Sequence, residues 1–185
     1  MKELIFATGN PFKFSIAQKA LEGTDIVLIQ QKLDLPEIQS EDGKEIASFS
    51  AKWGSNLLNK SIVVSDAGYY IEALNGFPGP FIKYINQWLT AEDLLRLMVG
   101  KENRNAFIKD CIAYCEPGGE PVCFFGNFKG TITYTKGAKG ATPINEIFIP
   151  DGLTRPESEI SNEERINFWK QDAVWRELAE YLAGR

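Results

Sequence analysis

Four charged residues of this chain have types and surroundings suited to work on a phosphorylated ligand: Lys13, Glu37, Asp66 and Lys83. Lys13 lies in 5-IFATGNPFKFSIAQKAL-21, where an apolar run gives way to Thr-Gly-Asn-Pro and then a helical pattern. Asn10 is a good helix N-cap and Pro11 suits the first helical position, so the segment predicts strand, turn and helix. Such a turn is expected to present free backbone N–H groups beside a positive helix end, which attracts anions. A lysine there is disfavoured by the macrodipole unless an anion arrives. Alone, the segment also fits an ordinary turn with a solvated lysine.

Glu37 lies in 34-DLPEIQSED-42, on backbone stiffened by Pro36. Asp66 follows the β-branched run Ile62–Val64 at a predicted turn over Asp66–Gly68, where open α/β sheets gather ligands. Each reading has an ordinary counterpart, a solvated acid or a turn-forming Asp. Together the two carboxylates suffice for Mg²⁺, which takes one or two protein carboxylates plus substrate phosphates. In 76-GFPGPFIKYI-85, Phe81, Lys83 and Tyr84 follow a Gly/Pro-rich loop and offer aromatic faces and a cation to a base or phosphate.

The composition limits the alternatives. The chain contains no histidine, which excludes triads built on an imidazole base. Its three cysteines, Cys111, Cys115 and Cys123, give neither a disulfide framework nor a four-ligand zinc site, and predict buried thiols in strands. The net charge of −5 argues against a broad nucleic-acid surface, though not against a small polyanion. Neither a transmembrane run nor a signal peptide is evident, so a cytoplasmic location without membrane contact is expected.

The elements that must position these residues follow from periodicity. Leu4–Ala7 and Ile26–Ile29 read as strands, with a helix over Pro11–Leu21 between them. Glu45–Leu58 has helical spacing through Ile46, Phe49, Trp53 and Leu57. Thr90–Val99 carries a near capping box. Ala106–Tyr114, Pro121–Gly126 and Lys129–Thr135 read as three strands with turns at Gly118-Gly119 and Asn127, and Glu146–Ile149 as a fourth. Ser161-Asn-Glu-Glu164 is a capping box opening a long helix to about Leu182. The class is mixed α/β.

The order A-T-G-N-x-x-K, P-E-x-Q, a strand ending in D-x-G, G-x-P-G-P-[FY]-I-K and a Glu-rich C-terminal helix start resembles the inosine/xanthosine triphosphate pyrophosphatases, from Ile5 to Leu182. The resemblance implies one domain over residues 1–185, an elongated mixed sheet with two lobes around a central cleft and a long C-terminal helix. It implies a homodimer that uses Mg²⁺ to hydrolyse a nucleoside triphosphate to the monophosphate and pyrophosphate. Thr8, Asn10 and Lys13 would contact the triphosphate, Glu37 and Asp66 would hold the metal, and Asp66 would activate water. Lys83 would reach the base, and Arg165 would stand where the family has a phosphate-contacting lysine.

Other positions depart from the family pattern. The family usually has two adjacent acids where this chain reads Ser65-Asp66. Its purine-holding segment reads 141-ATPINEIF-148 here, with Thr142, Ile144 and Asn145 in place of two aromatics and an aspartate. Its terminal Ser-His-Arg reads Trp169-Lys170-Gln171. Trp169 and Gln171 would thus build, or fill, a different base pocket. Hydrogen-bonding groups at a base edge set selectivity, so a base preference unlike inosine and xanthosine is expected. The alternative is a catalytically weak or inactive nucleotide-binding or interaction module on the same fold.

Overall fold

The computed structural model describes residues 2–184, which divide into two compact units. Unit 1 comprises residues 1–66, 110–126 and 166–185, and unit 2 residues 67–109 and 127–165. Among the described residues no helix is long and apolar enough to cross a membrane.

In unit 1, β1 (Lys2–Ala7) leads through α1 (Pro11–Ala20) to β2 (Ile26–Gln31), and α2 (Gly43–Leu58) leads to β3 (Ile62–Ile71). β1 pairs in parallel with β2 (Leu4 opposite Leu28) and with β3 (Phe6 opposite Val63). The sheet continues through the end of β5 (Asn105–Cys115) and the start of β6 (Val122–Ile132). Successive strand residues face opposite ways, and both faces of β1 are covered. Leu4 and Phe6 pack with Leu21, Ile112, Trp175 and Leu178, whereas Ile5 packs with Ala47, Ala51, Ile62 and Ala113.

The buried face of α2 is its row of small residues, Ala47, Ser50, Ala51, Gly54 and Ser55, together with Ile46. The expected stripe is otherwise turned out: Phe49, Trp53 and Leu57 are 42, 39 and 58% exposed. The reason is close packing. A Cβ on Gly54 would stand 2.6 Å from the Ile62 side chain, so this face admits only small residues.

Unit 2 holds the rest of β3, paired antiparallel with the short β4 (Pro78–Gly79), then α3 (Ile82–Trp88) and α4 (Ala91–Leu97). The capping box of α4 is formed, with Thr90 and Asp93 serving each other's backbone N–H. β7 (Phe148–Pro150) pairs antiparallel with the end of β6, Thr131 opposite Ile149. Arg104, buried, donates to the carbonyls of Ile132 (3.0 Å), Met98 (3.3 Å) and Thr133 and lies 4.7 Å from the Tyr134 ring.

Three expectations need correction. Asp66–Gly68 is no turn, because β3 runs on to Ile71. A Cβ on Gly68 would lie 2.9 Å from the Gly79 carbonyl, so this glycine serves the approach of β4. Nor does Asn127 turn the chain, since β6 is continuous from Val122 to Ile132. The C-terminal helix is interrupted: α5 (Asn162–Trp169) ends and α6 (Ala173–Ala183) begins anew, with the Asp172 carboxylate accepting from Val174 N at 3.2 Å.

Candidate functional site

The first turn forms as its residues demand, but it keeps its donors to itself. Asn10 caps α1, its Oδ1 accepting from Phe12 N (2.9 Å) and Lys13 N (3.3 Å), and its own N–H donates to Thr8 Oγ1 at 3.1 Å. Pro11 has no N–H. The backbone N–H groups of Asn10, Phe12 and Lys13, expected to be free, are therefore engaged within the turn, which leaves the Lys13 ammonium and the remaining capacity of Thr8 as side-chain donors for an anion. The methylenes of Lys32 also lie against Gly9, where an added Cβ would stand 3.2 Å from them.

Parallel pairing carries Lys13 to its partner. Phe6 lies opposite Val63, so the end of β1 and Ser65 of β3 stand at the same end of the sheet. α1 starts there, and Lys13 Nζ donates to Ser65 O (3.2 Å) and Ser65 Oγ (3.4 Å). Asp66, half-buried, is the next residue. The first residue of α2 lies beside it: a Cβ on Gly43 would be 3.6 Å from Asp66 Oδ2. A carboxylate there is favoured by the positive end of that helix. Asp42 caps α2 by accepting from Lys44 N at 2.9 Å.

Glu37 is exposed in the extended segment before α2. Its neighbour Pro36 is tied to that helix, the Ser50 hydroxyl donating to Pro36 O at 3.1 Å. Lys13, Glu37 and Asp66 thus all belong to unit 1. Among the described residues no group of three or more His, Cys, Asp or Glu side chains is arranged to hold a metal ion.

Sequence reasoning missed Asp110. The Ser65 hydroxyl donates to Asp110 Oδ1 at 3.2 Å, so this hydroxyl stands between the Lys13 ammonium and a carboxylate. Burial pushes the Asp110 carboxyl above its ordinary range, while Lys13 and the Ser65 hydroxyl pull it down. Asp172 is likewise raised, to about 6, by burial and by the negative charge of Asp110. The signal was present in 106-AFIKDCIAYC-115, where a lone acid interrupts an apolar strand. The neighbouring Cys111 is buried, but Cys123 is only partly so, against the expectation of buried thiols; its Sγ lies 3.2 Å from Ser48 Oγ.

Of the remaining expected site residues, Trp169 and Gln171 lie in unit 1 and Lys83 and Arg165 in unit 2. Trp169 is nearly buried, edge-on to Phe168 at 4.8 Å. Gln171 is exposed and donates to Asn167 O at 3.0 Å. Lys83 stands in the first turn of α3 with Nζ 5.9 Å from the Tyr84 ring, which stacks on Trp88. Arg165 donates through Nη2 (3.3 Å) and Nε (3.4 Å) to Glu157 Oε2, and Glu157 is 2% exposed. A buried carboxylate requires such a partner, and nothing in its loop sequence announced it. Asn145 is buried and its Oδ1 accepts from the Thr142 hydroxyl at 2.6 Å.

Comparison with known proteins agrees with the motif order. A protein from Methanopyrus kandleri named dITP/XTP pyrophosphatase is 36% identical, covering 99% of this chain and 100% of its own. One of the same name from Methanosarcina acetivorans is 39% identical over 83% of this chain and 84% of its own. The fold matches a HAM1 protein from Coxiella burnetii with a TM-score of 0.83 at 22% identity, over 100% of both chains. The Ham1 protein of Staphylococcus aureus matches with a TM-score of 0.77 at 24% identity, over 99% of each. The model of the Ham1 family matches residues 4–181, and the chain belongs to that family.

Proposed function

We propose that this protein hydrolyses a nucleoside triphosphate to the monophosphate and pyrophosphate with the help of Mg²⁺. The observation that carries the reading is the Lys13 ammonium held on Ser65, one residue from the Asp66 carboxylate. Full-length similarity to proteins named dITP/XTP pyrophosphatases supports the reaction class.

The donor set suits a hard cation, since Asp66 and Glu37 offer only carboxylate oxygens and Mg²⁺ takes its other ligands from phosphates and water. These two residues would hold it, and when bound it would polarise the phosphoryl oxygens. Asp66 orients the attacking water and accepts its proton at a carboxylate oxygen. The water oxygen bonds to a phosphorus, the bridging P–O bond between monophosphate and pyrophosphate breaks, and Lys13 offsets the charge that develops on the phosphate oxygens. Thr8 directs its hydroxyl to the same oxygens, whereas Asn10 acts by holding the turn. Lys83 serves the base and Arg165 the phosphates, as the family resemblance implies.

The base preferred differs from hypoxanthine and xanthine. In support, Asn145 carries no charge where the family pattern has an aspartate and is already bound by Thr142, and the nearly buried Trp169 stands where that pattern has a serine. Pyrophosphate release from a panel including dITP, XTP, modified pyrimidine and ordinary nucleoside triphosphates tests both points. Turnover on at least one is expected, with kcat/KM highest outside dITP and XTP. Asp66→Asn and Glu37→Gln should each lower kcat by about 100-fold or more, the scale for removing a positioned acid–base group. Undiminished turnover in both variants would rule out this mechanism.

A further inference from the structure

Three side chains from three elements converge beside Asp66, and the reaction above gives no role to one of them, Asp110. Lys13 comes from α1, Ser65 from β3 and Asp110 from β5. Lys13 Nζ donates to the Ser65 carbonyl (3.2 Å) and hydroxyl (3.4 Å), and that hydroxyl donates onward to Asp110 Oδ1 (3.2 Å). A partly buried carboxylate is costly unless a cation or donors compensate it. Lys13 is the cation that acts on it most directly. A lysine has a flexible four-carbon stem and three rotatable donors, so its ammonium is aimed only if something fixes it. Here the fixing groups are a backbone carbonyl and a hydroxyl whose orientation Asp110 sets.

We propose that Asp110 is a positioning residue of the hydrolytic site: through the Ser65 hydroxyl it holds the Lys13 ammonium at β3 beside Asp66. It supplies from β5 a negative charge that position 65 does not carry. Ser65 is then a link in the arrangement and not a lost function. The inference rests on the proposed hydrolysis, because its consequence is read in turnover.

Two sets of variants test it, each followed by pyrophosphate release with Mg²⁺ on the best nucleotide of the panel and by urea unfolding without nucleotide. Asp110→Asn keeps the size of the side chain and should lower kcat/KM by about 10- to 100-fold, the scale of a misplaced group. In a Lys13→Met background the same change should have almost no further effect on kcat/KM, because residues that act through one another are not additive. The exchange Ser65→Asp with Asp110→Ser puts the charge directly on β3 and should recover most of the activity that Asp110→Ser alone loses. A merely structural Asp110 would shift the unfolding midpoint but gain nothing from an acid at position 65. Equal losses from Asp110→Asn with and without Lys13, or no rescue by the exchange in a folded protein, would overturn the proposal while leaving the hydrolysis standing. If the wild type releases no pyrophosphate from any nucleotide, the hydrolysis falls and the positioning role with it.

Discussion

Cys123 shows how a fold changes a single side chain. Its thiol is held below the ordinary range by the hydrogen bond from Cys111 and the Ser48 hydroxyl, with Lys44 adding positive charge; burial opposes them. Cys111 moves the other way, raised first by its bond to Cys123 and then by burial. A lowered thiol pKa means thiolate already present at lower pH, and the thiolate is the nucleophile. Iodoacetamide near neutral pH should therefore alkylate Cys123 first, leaving Cys111 and Cys115 to react only after denaturation, as read by peptide mass spectrometry. The rate should level off at lower pH than for a free cysteine, and Ser48→Ala should move that pH upward. Equal labelling of all three thiols in the folded protein would refute the assignment. Cys123 was not legible as special in the sequence, because what perturbs it comes from elements distant in the chain, and Asp110 left only the trace of a lone acid in an apolar strand. Lys13 and Asp66 were legible, since their local surroundings, a capped turn and a buried strand, are written in adjacent residues.

Among the elements, glycine was the ambiguous letter. Gly118 lies at φ +71 between β5 and β6 and is the turn its sequence predicts. Gly68 and Gly130 look alike in sequence yet sit inside strands, where they admit a neighbouring backbone. That need depends on a partner strand, which no local pattern reveals; hence the spurious turn at Asp66–Gly68. The C-terminal helix misled in the opposite sense, since the apolar period of Ile166, Trp169, Ala173, Leu178 and Leu182 runs through a break that only Asp172 marks. A Cβ on Gly130 would stand 2.4 Å from the Ile149 carbonyl oxygen and 2.5 Å from the Phe148 ring. A backbone oxygen in a strand pair cannot yield as a side-chain end can. Gly130→Ala should therefore destabilise by about 2–3 kcal/mol, the upper end for overpacking, and lower the urea midpoint. Gly54→Ala meets the ends of the Ile62 and Leu35 side chains and gains helix propensity of about 1 kcal/mol, so its cost should be distinctly smaller. If Gly130→Ala were the milder of the two, close approach would not explain that glycine.

For the whole molecule, the motif order pointed to the family whose model matches residues 4–181, because those motifs are short and local. The positions expected to read the base lie scattered over 142–171, and the burial of Ile144, Asn145 and Trp169 among them became visible only in the fold. The same scale governs stability against pH. Asp172 caps α6 while half-buried near Asp110, and its carboxyl is pushed from the ordinary 3.8 to about 6, first by burial. A folded pKa above the unfolded one means that this group's contribution is fully present below about pH 4 and is lost as pH rises through about 6. When ionised, such a carboxyl would cost at most about 3 kcal/mol, and its remaining contact with water reduces that to about 1–2 kcal/mol. Asparagine caps a helix as well as aspartate does and carries no charge. Asp172→Asn should thus leave stability nearly unchanged at about pH 4 and raise it by about 1–2 kcal/mol at about pH 8, in urea unfolding followed at both values. A variant less stable than the wild type at about pH 8 would show that the ionised carboxylate is favourable where it stands, and that the charge of Asp110 is not what it faces.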